Sequence, residues 1–178
     1  MTTPIRTAWD LGRVRWADRA IAGIDAMLRL EAFTHEEFLD GIDRFRGMRW
    51  ITTLRAIGPL GDGRAQSPGE SVLRLRWIEA GLPEPTPQLE VWRGGRLLAM
   101  LDLGNGVLRY AAEYDGQEWH TSPDQRAHDT ARRTAVAKED WHLDVFVAAD
   151  VFGPRQDAVT RLRVGAAQAR LLYGPVAG

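Results

Sequence analysis

From Arg15 to Leu30 the apolar residues Ala17, Ala20, Ile21, Ile24, Met27 and Leu28 recur at spacings of three and four. That spacing predicts a helix with one buried face, and Arg19, Asp25 and Arg29 fall mostly outside it. Thr34 stands three residues before Glu37, the signature of a capping box, and Phe38, Leu39, Ile42 and Phe45 predict the buried stripe of a second helix ending near Gly47. A third, short helix through Trp50, Ile51, Leu54 and Ile57 should stop at Gly58-Pro59. The stretch GPLGDGRAQ carries turn residues and no periodicity, which predicts a linker and a boundary at about residue 66.

Beyond the linker the pattern changes. Ser67 as N-cap, Pro68 at the first helical position and Glu70 as the capping acid predict a helix that ends at Gly81, before Pro83. Leu89 to Trp92, Leu97 to Leu103 and Val107 to Asp115 have strand character, and the RGG and GNG turns between them are of hairpin length, so an antiparallel meander is expected. Ser122-Pro123 with Gln125 predicts a helix to about Lys138, with Ala127, Ala131 and Ala135 small enough to approach a sheet closely. A strand over WHLDVFVA and a last helix from about Arg155 to Leu172 complete the order α-β-β-β-α-β-α. The expected class is α/β, a mixed sheet flanked by helices over residues 67–178, preceded by a helical segment over residues 1–66.

Composition narrows the function classes. Hydrophobic residues are 44% and charged residues 26% of the 178, as in a folded domain rather than a disordered tail. Lys plus Arg is 23 against 24 for Asp plus Glu, so any contact with nucleic acid must come from a local patch. The absence of cysteine removes disulfides, thiolate nucleophiles and sulfur-bound zinc, and suits a reducing cytoplasm. No apolar run approaches the roughly 20 residues that span a bilayer, and MTTPIRTAWD lacks the order of a secretory signal, so a cytoplasmic protein without membrane contact is expected. Sequence motifs of P-loop nucleotidases, dinucleotide enzymes, serine hydrolases and zincins are missing.

The densest chemistry lies in LDLGNGVLRYAAEYDGQEWH. Alternation on a strand points Glu113 and Asp115 to one side and Tyr114 to the other, and antiparallel pairing brings Asp102 toward the same patch. Such carboxylates repel unless a cation intervenes, and hard oxygen donors suit Mg²⁺ or Mn²⁺. His120, titrating near neutral pH, suits an acid or base. Each residue also has a structural reading: acids at hairpin ends are commonly solvated, Glu70 is explained by capping, and Trp16, Trp50 and Trp77 sit in helical segments where core packing is expected. Arg126, Arg132, Arg133 and Lys138 lie on one helix, but Asp124 and Asp129 interrupt them, which favours a solvated face.

Three segments, SPGESVLRLRWIEAGLPEPTPQLEV, LLAMLDLGNGVLRYAAEYDGQEWH and DQRAHDTARRTAVAKEDWHLDVFVAADVF, resemble in order and spacing a domain of actinobacterial proteins related to the very-short-patch-repair endonucleases, within the restriction-endonuclease-like, or PD-(D/E)XK, superfamily. The resemblance covers about residues 67–153. Residues 3–60, beginning TPIRTAWDLGR, are similar to the helical segment that joins this domain to a winged helix in antitoxin-like proteins of the AbiEi type; a winged helix is not found here, so the chain would be a short form or a piece of a longer product. The resemblance implies a restriction-endonuclease-like fold, with Asp102 as the first acidic metal ligand, Glu113 as the acid of the E-x-K element, His120 as the histidine of the repair branch and Glu70 as an acid on the first core helix. Asp115 stands where E-x-K has its lysine.

Two functions are therefore open. One is a Mg²⁺-dependent endonuclease acting on DNA, with Asp102, Glu113 and Asp115 holding the ion and Glu70 and His120 assisting. The other is a non-catalytic nucleic-acid-binding or antitoxin-like module on the same fold, contacting nucleic acid or a partner protein.

Overall fold

The computed structural model describes residues 2–116, 130 and 132–174. The chain divides into two compact units, Met1–Leu75 and Arg76–Gly178.

The first unit holds α1 (Pro4–Gly12), α2 (Ala17–Leu28), α3 (His35–Asp40) and α4 (Ile51–Ile57), with a 3-10 turn at Ile42–Phe45 between α3 and α4 and another at Gly58–Leu60 after α4. Helix α1 starts because Thr3 accepts the Arg6 N–H and Pro4 fills the first position, where no N–H is needed. It buries Trp9, whose indole N–H donates to the Phe38 carbonyl at 2.8 Å and whose ring lies 5.4 Å from that of Phe45. The Trp9 ring is pressed against Gly41, where a Cβ would overlap it. That contact accounts for a difference from the sequence pattern: the helix expected to run to Gly47 ends at Asp40 and continues as a 3-10 turn. The capping box is present, with Glu37 N–H to the Thr34 hydroxyl at 3.1 Å and Thr34 N–H to the Glu37 carboxylate at 2.7 Å. Ile21, Ile24, Phe38 and Leu54 are fully buried.

The linker at about residue 66 is followed by nine residues that still belong to this unit, including the front of α5 (Pro68–Glu79). The reason is Arg74, whose guanidinium makes two bonds to the Asp25 carboxylate on α2, at 2.8 and 3.0 Å, and one to the Leu60 carbonyl. Asp25 is 1% exposed and also accepts the Asp62 N–H at 2.8 Å.

The second unit holds the end of α5, then β1 (Thr86–Arg93), β2 (Arg96–Asn105), β3 (Tyr110–Asp115), α6 (132–137), β4 (His142–Val147), α7 (Ala148–Val151) and α8 (Ala158–Tyr173). It is α/β, with one four-stranded mixed sheet in the order β1-β2-β3-β4. Strands β1, β2 and β3 pair antiparallel, as the two short turns predict. The first turn is Gly94-Gly95, with φ of +54° and +78°, the left-handed pair that a two-residue hairpin requires. The second is longer than the sequence suggested: Asn105 accepts the Leu108 N–H at 3.0 Å and Arg109 has φ +52°, so residues 107–109 turn and β3 starts at Tyr110. Strand β4 pairs parallel to β3, Tyr110 with His142 through Asp115 with Val147, which demands the crossover that carries α6.

The two sheet faces have separate covers. Val136 of α6 packs with Val91, Ala99, Leu101, Ala111 and Trp141 on one. On the other, Trp77 stacks on Tyr110 at 5.2 Å, and α8 passes so closely that a Cβ on Gly165 would overlap the Asp144 carboxylate. The start of the helix expected from Ser122 lies outside the described residues, as do Arg126, Asp124 and Asp129.

Candidate functional site

Strand alternation puts Glu113 on the face of Ala111, beneath α6, and helical spacing puts Arg132 one turn before Val136 on the side that faces the sheet. The result is a two-pronged ion pair: the Arg132 Nη atoms donate to the two Glu113 carboxylate oxygens at 2.5 and 2.8 Å. The Glu113 side chain is 9% exposed and that of Arg132 34%, so the pair sits at the edge of the core.

Asp102 lies on the neighbouring strand. The β2–β3 ladder runs from Asn105 with Tyr110 to Leu103 with Ala112, one step short of setting Asp102 opposite Glu113. There the Asp102 carboxylate takes the Tyr114 N–H, at 2.9 Å, directly beyond Glu113 in the chain. The structure thus brings Asp102 and Glu113 to adjoining positions on paired strands. Asp115, paired with Val147 of β4, follows on the Glu113 face.

As donors to a divalent cation these residues do not fit as placed. Both Glu113 oxygens are committed to a guanidinium, one Asp102 oxygen is committed to a backbone N–H, and among the described residues no three His, Asp or Glu side chains group as a metal site. His120 lies outside the described residues. Glu70 belongs to the first unit and serves the start of α5, accepting the Gln66 N–H at 2.8 Å while its own N–H donates to the Ser67 hydroxyl at 3.2 Å.

Two features were missed in the pattern. Arg132 reads as part of a solvated face, yet its place four residues before the buried Val136 was a signal for a sheet-facing arginine. On the opposite face of the sheet, Tyr110, His142 and Asp144 converge: the Tyr110 hydroxyl donates to Asp144 at 2.9 Å, and His142 stacks on Tyr110 at 5.8 Å with its Nε2 3.6 Å from Asp144. Alternation in WHLDVFVA placed His142 and Asp144 on one side, so that part was readable. Burial and the Asp144 carboxylate push the Tyr110 phenol far above its ordinary pKa. In the first unit, Trp16 is 55% exposed and Trp50 half-buried, each just ahead of a helix rather than in the core; in the second, Trp77 is fully buried as expected.

Over 150 residues, 84% of its length, the chain is 34% identical to two Mycobacterium tuberculosis proteins, "Uncharacterized protein MT2308" from strain CDC 1551 / Oshkosh and "Uncharacterized protein Rv2248" from strain H37Rv. It spans about half, 55%, of their length. No family model matches the chain, and no solved structure matches it. No helix among the described residues is long and apolar enough to cross a membrane.

Proposed function

We propose that the second unit is a restriction-endonuclease-like domain that binds DNA without cutting it. The Arg132–Glu113 ion pair carries this reading. A guanidinium already neutralises the acid that the resemblance assigns to the metal, and Asp115 stands in place of the ammonium that would assist water attack. Support for the fold comes from the element order α5-β1-β2-β3-α6-β4-α7-α8 and the mixed sheet, which match the α-β-β-β-α-β-α order read from the hydrophobic pattern but for the short α7. DNA as the partner rests on the resemblance to repair endonucleases, and a cytoplasmic location accords with the cysteine-free composition.

The adjoining positions of Asp102 and Glu113 favour a second reading, a Mg²⁺-dependent endonuclease in which a metal displaces Arg132. The two separate in one experiment: the purified chain is mixed with supercoiled plasmid in Mg²⁺, in Mn²⁺ and in EDTA, with nicking and gel retardation read together. The expected result is retardation that EDTA does not weaken, and no nicking. Metal-dependent nicking that Asp102→Asn abolishes would establish the endonuclease instead. Absence of both retardation and nicking would remove DNA as the partner.

A further inference from the structure

The arginines of the first unit sort by partner. Arg6, Arg13, Arg55, Arg64 and Arg74 are each held by an aspartate at 2.7–3.0 Å. Arg29 bonds the Ala65 carbonyl and Arg44 lies over the Trp9 ring, while no carboxylate among the described residues pairs with Arg15, Arg19, Arg46 or Arg49, all four of them exposed. Asp43, the acid close in sequence to Arg46 and Arg49, is already taken by Arg55.

These four lie in two short stretches, and each stretch contains an Arg-Trp dipeptide in which the guanidinium stacks on the indole. The Arg15 carbon lies 4.5 Å from the Trp16 ring centre, and that of Arg49 lies 4.8 Å from the Trp50 ring centre. Trp16 stands at the N-cap of α2 and Trp50 at the N-cap of α4, and these two helices pack against each other. Neither indole completes the core: Trp16 is 55% exposed, while the core of this unit is filled by Trp9, Phe38, Phe45 and aliphatic side chains.

We propose that Trp16, Trp50, Arg15 and Arg49 form a surface that takes single-stranded DNA, with unpaired bases stacking on the indoles and the guanidiniums answering phosphates. These arginines make no ion pair among the described residues, and an exposed guanidinium is complementary to a phosphate. Stacking on the exposed Trp16 indole and on the open part of the half-buried Trp50 needs a base with a free face, which a single strand presents and a paired duplex does not. The proposal rests on the DNA-binding reading above and assigns the contact to residues that the carboxylate strand does not include.

The test is fluorescence anisotropy of the full chain with fluorescein-labelled oligothymidylate, and with the same strand annealed to oligoadenylate. Trp16→Ala and Arg49→Ala should each weaken binding to the single strand by about five- to tenfold. Arg49→Ala should also flatten the salt dependence by about one released counterion. Arg55→Ala, which removes a cation already paired, should leave binding unchanged, and circular dichroism melts verify that each variant folds. If the wild type binds DNA and folded Trp16→Ala and Arg49→Ala bind as it does, this surface is wrong while the DNA-binding reading stands. If the duplex binds as tightly and loses as much in both variants, the single-strand assignment is overturned. If the wild type binds neither form, both proposals fall.

Discussion

Each unit contains a carboxylate with both oxygens held by one arginine, Asp25 by a single nitrogen of Arg74 and Glu113 by two of Arg132, and the pairs differ chiefly in how far water reaches them. Arg74 and Asp25 have side chains 7% and 1% exposed, and the surrounding backbone completes their bonding through the Leu60 carbonyl and the Asp62 N–H. Arg132 and Glu113 are 34% and 9% exposed, at the edge of a sheet. Burial pushes the Asp25 carboxyl up, and the Arg74 charge opposes it, so that pair exists only while all its members are in place. The pair at the sheet edge can exchange its partner with less loss, because water solvates the half-open guanidinium when the acid leaves it. The same side-chain chemistry is thus architecture in one unit and a candidate site in the other.

Asp25→Ala is the largest break in that comparison. It strands a guanidinium inside the first unit and should cost about 3–5 kcal/mol, read as a lowered urea midpoint by circular dichroism. Replacing both partners, Asp25→Leu with Arg74→Met, should recover most of that loss, since no uncompensated charge remains. A double variant no more stable than Asp25→Ala alone would show that the hydrogen bonds to Leu60 and Asp62, rather than the buried charge, set the cost.

Glu113→Gln should have a smaller effect, about 1–2 kcal/mol, because the amide still accepts one bond from Arg132 and the guanidinium keeps its access to solvent. A loss as large as that of Asp25→Ala would mean that the pair is a structural lock, and would weaken its assignment to a displaced metal position.

The contrast between the pairs also explains what the sequence disclosed. Hydrophobic period and turn chemistry are local, so α2, the capping box at Thr34, the helix opened by Ser67 and Pro68, and the Gly94-Gly95 hairpin were all legible. The break after Asp40 was not, since it depends on Trp9 arriving from a helix 29 residues away by the hydrogen bond to Phe38. The same holds for the site. Alternation placed Glu113 and Asp115 on one face, and hairpin pairing brought Asp102 alongside. What the carboxylates bind was hidden, because Arg132 joins Glu113 across a crossover and Asp102 uses a backbone N–H that no residue pattern reveals. Trp16 differs for a related reason: the pattern includes it in a helical segment, where core packing is expected, but the helix begins one residue later and leaves the ring outside.

The smallest expected effect sharpens the contrast between the two faces of β3, one bearing the Glu113 pair and the other the Tyr110–Asp144 hydrogen bond. Burial holds the Tyr110 phenol protonated well above its ordinary pKa of 10.0, and the nearby Asp144 charge reinforces this. The folded state therefore keeps a proton that the unfolded chain releases, so this group's contribution is fully present below about pH 10 and is lost as pH rises further, by up to about 1.4 kcal/mol per pH unit. Few other groups obscure that limb: the sequence has 3 tyrosines and a single lysine, Lys138, while its arginines stay charged. Tyr110→Phe should cost about 1 kcal/mol at neutral pH, where it removes one hydrogen bond and leaves Asp144 without that donor. Above about pH 10 the difference should shrink and then reverse, because phenylalanine has no proton to lose. Urea unfolding of both proteins across that range measures it. Parallel alkaline limbs would show that Tyr110 ionises in the folded state as readily as in the unfolded one, and that α8 does not seal this face as Gly165 suggests.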